Sequence, residues 1–248
     1  LATVVQRVLM KDEDNDPVVF MVLFQFLVTA VIAIYFIASR TPFPNISQVW
    51  PNLLLNGFLI SIASLCMFKS LKLIDVADFT IIGASSTFWG LLTASVFLKE
   101  SVTIEKIIGT ILVTIGIITL VIKKKGFGFN FNLGHLYSLI SASAFGIAFT
   151  NEVFLVGKIG VMQNLLIGFF LPGLIVLVLF PKSIVKMRSI LVPLKLGRIL
   201  LFSLLYLSGA IAIFAAYSYG GEASKIYPIG KAEVIITTIL GVIFLKEY

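Results

Sequence analysis

Phe97-Leu98-Lys99-Glu100 and Phe244-Leu245-Lys246-Glu247 are the same four residues, 147 positions apart, and each closes a long apolar run. Isolated matches are cheap in a sequence drawn mostly from a few apolar residue types. Four consecutive identities that include a Lys-Glu pair are not. The same offset, without a gap, pairs Gly83 with Gly230, Ile82 with Ile229, Ala63 with Ala210, Ser61 with Ser208, and Leu53-Leu54 with Leu200-Leu201. The chain therefore reads as two copies of one unit.

Composition says where that unit lives. Of the 248 residues, 59% are hydrophobic and 12% charged, against about 45–50% and about 25% in an ordinary soluble domain. So few charges cannot cover so much apolar surface in water, and lipid must be the main solvent. That excludes a soluble enzyme, a nucleic-acid binder and a secreted disulfide scaffold. The net charge of +7 comes from short basic clusters between apolar runs, the pattern of membrane loops. The one cysteine, Cys66, lies inside an apolar run.

A bilayer core takes about 20 apolar residues as a helix. Counted that way, the sequence holds one partial span, residues 1–10, and eight full ones. Span two is 17–38, opened by Asp16-Pro17 as cap and first helical residue. Span three is 51–73, span four 76–98 and span five 102–122. Residues 123–132, with Lys123-Lys124-Lys125 followed by Gly126 and Gly128, form the linker. Span six is 133–156, span seven 161–180, span eight 199–219 and span nine 223–245. Basic residues 181–198 read as a short interfacial helix. Residues 1–122 make one repeat and 133–248 the other. Span five follows Glu100, whereas Tyr248 follows Glu247 directly. The expectation is thus ten spans in two units of five, with the first incomplete here and the tenth missing. An odd number of spans per unit inverts the second unit across the membrane, an arrangement typical of transporters.

At this point the sequence resembles the drug/metabolite transporter superfamily, in particular its EamA-type members. The resemblance rests on the five-plus-five layout, on Val96-Phe97-Leu98-Lys99-Glu100 followed by a helix with Gly109 and Gly116, and on the second Phe244-Leu245-Lys246-Glu247. It implies an all-α polytopic membrane protein with a ten-helix fold, carrying small organic solutes through a central cavity lined by helices one, three, four, six, eight and nine. Many members carry a proline midway along helices four and nine. This chain has Ala84-Ser85-Ser86-Thr87 and Gly230-Lys231-Ala232-Glu233 there.

Charges deep in a span cost about 2.5–3.5 kcal/mol each and usually face a cavity or a partner. Lys231 and Glu233 lie near the middle of span nine, two residues apart and so on different helix faces. Glu152 in span six and Arg7 in span one are the candidate partners. Depth at 1.5 Å per residue matches Glu152 to Lys231, and Arg7 reaches Glu233 from the opposite side. The competing reading lets Arg7 and Glu152 snorkel to the interfaces. Asn151, beside Glu152, joins the candidate set. Tyr217 and Tyr227 would supply hydroxyls to the cavity, or sit in the interfacial belt. Ser85 and Ser86 would line it from the other repeat, or serve close packing. Trp89 stacks on substrate or packs on helices and lipid. Lys99, Glu100, Glu105 and Lys106 read as a solvated corner, and His135 as a polar anchor opening span six.

The sequence encodes no Walker-type phosphate loop, zinc signature or nucleophile–base set, so neither a cofactor nor an enzymatic activity is expected. The leading reading is a secondary carrier of small metabolites, amino acids or related solutes, in the export direction. Its partners are a small-molecule substrate and the lipid bilayer of the cell membrane, with pairing of two copies left open. A carrier of phosphorylated or nucleotide-linked sugars would want several cavity cations. A non-transporting scaffold or lipid-translocation subunit would not need the deep charges. The positive-inside rule puts the Lys123–Lys125 linker in the cytoplasm, whereas EamA-type relatives place it outside.

Overall fold

In the computed structural model, residues 16–40, 42–43, 45–101, 103–125, 131–183 and 193–231 are described. Among them the chain is helical throughout, without a strand. Six stretches among them are long and apolar enough to cross a membrane, one of them Asp78–Phe97, which is divided at its middle. The protein is an all-α polytopic membrane protein.

α1 (Pro17–Ser39) begins where the sequence predicts: the Asp16 side chain accepts from Val18 N–H at 2.9 Å, and Pro17 occupies the first turn. α2 spans Trp50–Leu73. Span four is not one helix. It breaks into α3 (Val76–Gly83) and α4 (Ser86–Phe97), although no proline is present. At the break the backbone tightens to i→i+3 bonds, Ser85 N–H to Ile82 O at 3.0 Å and Thr87 N–H to Ala84 O at 3.1 Å. The Ser85 and Ser86 hydroxyls then donate to the Ile82 and Gly83 carbonyls at 2.6 and 2.5 Å. Short hydroxyl side chains that compete for backbone carbonyls loosen a helix, and here they satisfy the groups the break exposes. α5 is Ile104–Lys125 and α6 is Leu133–Ile159. Asn132 and His135 form a reciprocal cap at the start of α6. His135 is buried there, 3.7 Å from the Asp78 carboxylate, so it anchors α6 to α3 rather than to the interface.

Gly160 alone links α6 to α7 (Val161–Leu179), at φ +86°. A side chain there would be strained by the backbone and would also meet Gln163 Oε1 at 2.8 Å. α8 (Pro193–Ser218) and α9 (Ala223–Lys231) complete the described chain.

α6 is the central strut. It packs most heavily against α2, then against α4. Lipid gives apolar surfaces no hydrophobic drive to associate, so close packing and interhelical hydrogen bonds must hold these helices. Both are present. Ser70 donates to Gly134 O at 2.9 Å, Ser141 to Ala63 O at 2.8 Å, and Asn151 to Asn52 O at 2.8 Å. These contacts climb α6 while descending α2, fixing an antiparallel register. Against α4, a Cβ added to Gly146 would lie 2.6 Å from both Ser86 O and Trp89 Cβ. Thr93 and Thr150 join hydroxyls at 2.7 Å one turn further on.

α1 is apolar on all sides and buried at Val19, Phe20, Met21, Val22 and Phe24, as a helix enclosed by others should be. Its Phe20 meets Phe68 edge-on at 5.0 Å, and Phe24 meets Phe202 at 4.8 Å. The exposed side chains of α5, such as Ile108, Leu112 and Ile115, mark a helix on the rim of the bundle.

The corner between spans four and five is not merely solvated. Glu100 reaches across the bundle and caps α9. Its carboxylate accepts from Ala223 N–H at 2.9 Å and Ser224 N–H at 3.1 Å, and from the Ser224 hydroxyl. Lys106, 6% exposed at its side chain, pairs with Glu222 at 2.9 Å and donates to Ser101 O at 2.8 Å. Lys225 pairs with the same Glu222 at 3.0 Å. Hydrogen bonds from Lys106 and then Lys225 hold the Glu222 carboxyl below its ordinary value.

Candidate functional site

A cavity of about 280 Å³ lies within the bundle. α2, the α3–α4 pair, α6, α8 and α9 all reach its wall, and so do α1 and α7. The last two were not among the helices the resemblance implies. Helix one lies outside the described residues.

Glu152 is the only carboxylate on the wall among the described residues. It is 8% exposed, so it does not snorkel to an interface. Asn56 Nδ2 donates to its Oε1 at 3.3 Å. Gly168 of α7 is also on the wall, and a Cβ added there would lie 4.0 Å from that oxygen. Ser86 also reaches the wall, its hydroxyl already spent on Gly83 O.

The other candidates fall elsewhere. Asn151 is one residue from Glu152 but faces α2, where it exchanges hydrogen bonds with Asn52. It donates to the Asn52 carbonyl and accepts from Asn52 Nδ2, both at 2.8 Å. Ser85 serves the helix break. Trp89 packs its Cβ on Gly146 and its ring on Phe88 at 5.9 Å. Tyr217 sits behind the wall, against Phe149 at 5.9 Å and Phe214 at 6.2 Å. Arg7 and Glu233 lie outside the described residues. For Lys231 and Tyr227 the helical backbone is described and the side chain is not. Gly230, next to Lys231, is on the wall.

Two wall residues carry too weak a signal for the sequence to single them out. Gln25 of α1 and Asn164 of α7 are each 1% exposed. Among the described residues, Gln25 Oε1 and both amide atoms of Asn164 have no hydrogen-bond partner. A buried polar group without a partner costs about 1–3 kcal/mol, so these three atoms are the polar groups that a solute or water in the cavity would satisfy. The only trace of them in the sequence is an amide placed in an otherwise apolar run. The rest of the wall is aromatic and small, including Phe24, Phe145, Phe149, Phe169 and Tyr206.

A largely apolar cavity with a few convergent polar groups, in a bundle of membrane-crossing helices with one span broken beside it, has the form of a solute site in a membrane protein. Known proteins agree with that class. Residues 1–122, just under half of the chain, match the model of the EamA-like transporter family. That family moves small solutes across membranes. A solved structure described only as a crystal structure of a protein is similar with a TM-score of 0.54 and 14% identity, covering 98% of this chain and 93% of that one. At that identity the likeness shows the fold alone. No curated protein matches the chain.

Proposed function

We propose that this protein is a secondary transporter of small organic metabolites in the cell membrane, working by alternating access at the central cavity. What carries the reading is Glu152: a buried carboxylate of a membrane-crossing helix, on the wall of a cavity of about 280 Å³. Such a charge is expensive in a span and is kept for substrate or coupling. Lys231, Glu233 and Arg7 complete the proposed set of deep charges, with Glu152 set against Lys231 and Arg7 against Glu233. Residues 1–122 and 133–248 act as the two inverted halves that rock about the site, joined by the 123–132 linker. Amino acids and related solutes are the proposed cargo.

The test is counterflow of a metabolite panel in vesicles holding the purified chain, with and without a pH gradient. Expected is saturable exchange of at least one solute, with Glu152→Gln, Lys231→Ala and Glu233→Gln each lowering it about tenfold or more. Exchange untouched by all three substitutions would remove these charges from the mechanism. Vesicles that move nothing across a broad panel would sink the transporter reading itself.

A further inference from the structure

We propose that the cavity holds an apolar amino acid by both its charged poles, with the α-ammonium seated where Pro172 of α7 sets a backbone carbonyl free beside Glu152. This rests on the reading of the cavity as a transport site with Glu152 and Lys231, and says how that pair takes its cargo. Pro172 is inside α7 and buried. Proline has no N–H, so the carbonyl four residues earlier loses its helix donor. That carbonyl belongs to Gly168, which is on the cavity wall. Glycine is the residue that lets a ligand come close to the backbone. This turn of α7 is held from two sides. The Ser61 hydroxyl of α2 donates to Pro172 O at 3.4 Å, and a Cβ added to Gly173 would lie 3.0 Å from Gln25 Cβ of α1.

The acceptors around Gly168 fit an ammonium. A Cβ at Gly168 would lie 4.0 Å from Glu152 Oε1. Among the described residues only Asn56 bonds that carboxylate, at Oε1. Asn164 lies one turn before Gly168 on the same face of α7, and its Oδ1 has no hydrogen-bond partner among the described residues. Glu152, the Gly168 carbonyl and Asn164 Oδ1 are three acceptors for the three donors of an ammonium. Carbonyls at interrupted helices are what transporters use to hold cations. The second pole is Lys231, whose neighbour Gly230 is on the wall. Balance of charge then selects the cargo. In the proposed pair, Glu152 and Lys231 neutralise each other while the cavity is empty. An amine alone would take Glu152 and leave the lysine unpaired, and an acid alone would do the reverse. Either leaves a buried charge without its partner, which is strongly unfavourable. A zwitterion pairs both. Its side chain is left the part of the wall that α8 supplies with Leu205, Ala210, Ile213 and Phe214. The volume of about 280 Å³ is at the small end of the pocket range, about 300–1,000 Å³, which suits an amino acid of the size of leucine.

The experiment uses leucine and its two halves: 3-methylbutylamine, which lacks the carboxylate, and 4-methylpentanoate, which lacks the ammonium. Binding to the purified full chain in detergent is measured by calorimetry. Expected is leucine binding about tenfold or more tighter than either half, a difference of one desolvated charge contact. Pro172→Ala gives Gly168 O its helix donor back, and should weaken leucine and the amine alike, about three- to tenfold, with the acid unchanged. Asn164→Leu should do the same through the other acceptor. Lys231→Ala should give the mirror image, weakening leucine and the acid without weakening the amine. A role of Pro172 in folding alone would weaken all three probes, and that result overturns the ammonium site. So does a Pro172→Ala chain that binds leucine as the wild type does. Either half binding as tightly as leucine, or no binding of leucine at millimolar concentration, overturns the proposal whatever the variants do. Counterflow in vesicles keeps the two readings apart. Exchange of solutes that lack one pole, with no preference for leucine, sinks the two-pole site and leaves the transporter standing. Leucine-selective binding with no solute exchanged sinks the transporter and leaves the site.

Discussion

Asn151 and Glu152 are neighbours in the chain and do different work, because consecutive helical positions point about 100° apart. Asn151 holds α6 to Asn52 of α2 through two hydrogen bonds at 2.8 Å. In lipid, such an interhelical pair is worth about 0.6–2 kcal/mol. Asn151→Ala is therefore expected to lower unfolding stability in detergent by about 1–2 kcal/mol while leaving the substrate KM unchanged, since the side chain does not reach the wall. A raised KM with unchanged stability would put Asn151 at the substrate instead. The same pair of residues shows what a sequence can disclose. A charge in a span stands out because nothing but a cavity or a partner justifies it, and Glu152 is legible for that reason. Gln25 and Asn164 cost far less to insert and do not announce themselves. Whether an amide is spent on a neighbouring helix, like Asn151, or left open to a cavity, like Asn164, is decided by tertiary packing.

At the scale of elements, spans are written in the lengths of apolar runs, and their interruptions are not. Span four reads as continuous from Val76 to Leu98, since it lacks the breaking proline. Yet Ser85 and Ser86 turn their hydroxyls on the preceding carbonyls and the helix divides. The corner after it differs from its sequence reading for a related reason: charges at a helix end look solvated until the partner element is known. Here the partner is the N-terminus of α9, whose free N–H groups and positive dipole end attract the Glu100 carboxylate. Removing that cap with Glu100→Ala should cost about 1 kcal/mol and expose the first turn of α9 to hydrogen exchange. The neighbouring pair adds a pH dependence. Glu222 titrates below its ordinary 4.5 because Lys106 and Lys225 favour its charged form. Its contribution is therefore complete above about 4.5 and is lost as pH falls through the lowered value. Exchange at residues 223–226, corrected for intrinsic rates, should show protection declining on the acid side of 4.5 in the wild type. In Lys106→Met the protection should start lower and vary less with pH. An acid limb of the same size in both proteins would remove the ion pair from the account.

At the scale of the whole molecule, the contacts have the form a two-fold relation between repeats requires. Span two packs on span seven, as α1 on α7, and span four on span nine, as α4 on α9. On the 147-residue offset, each of these would pair a helix with its counterpart. The contact of α2 with α7 has its counterpart in α1 with α8. The same 147-residue offset specifies a second capping contact to look for. Glu100 caps residues 223 and 224. Moved by 147 positions, Glu100 becomes Glu247 and the capped donors become residues 76 and 77. Those residues open α3. An inverted pair of units would place the two contacts at opposite faces of the membrane. With Cys66 replaced by Ser, Glu100→Cys combined with Ala223→Cys should join under a short bifunctional thiol reagent and hold the cavity shut on one face. Glu247→Cys combined with Val76→Cys should join as well and hold the opposite face shut, the two traps protecting opposite sides of the cavity from aqueous labelling. Since both ends of the second pair are fixed by the repeat alone, failure of 247 to reach 76 under substrate and without it would break the inverted relation. Joining on the same face as the first pair would make the repeat parallel instead.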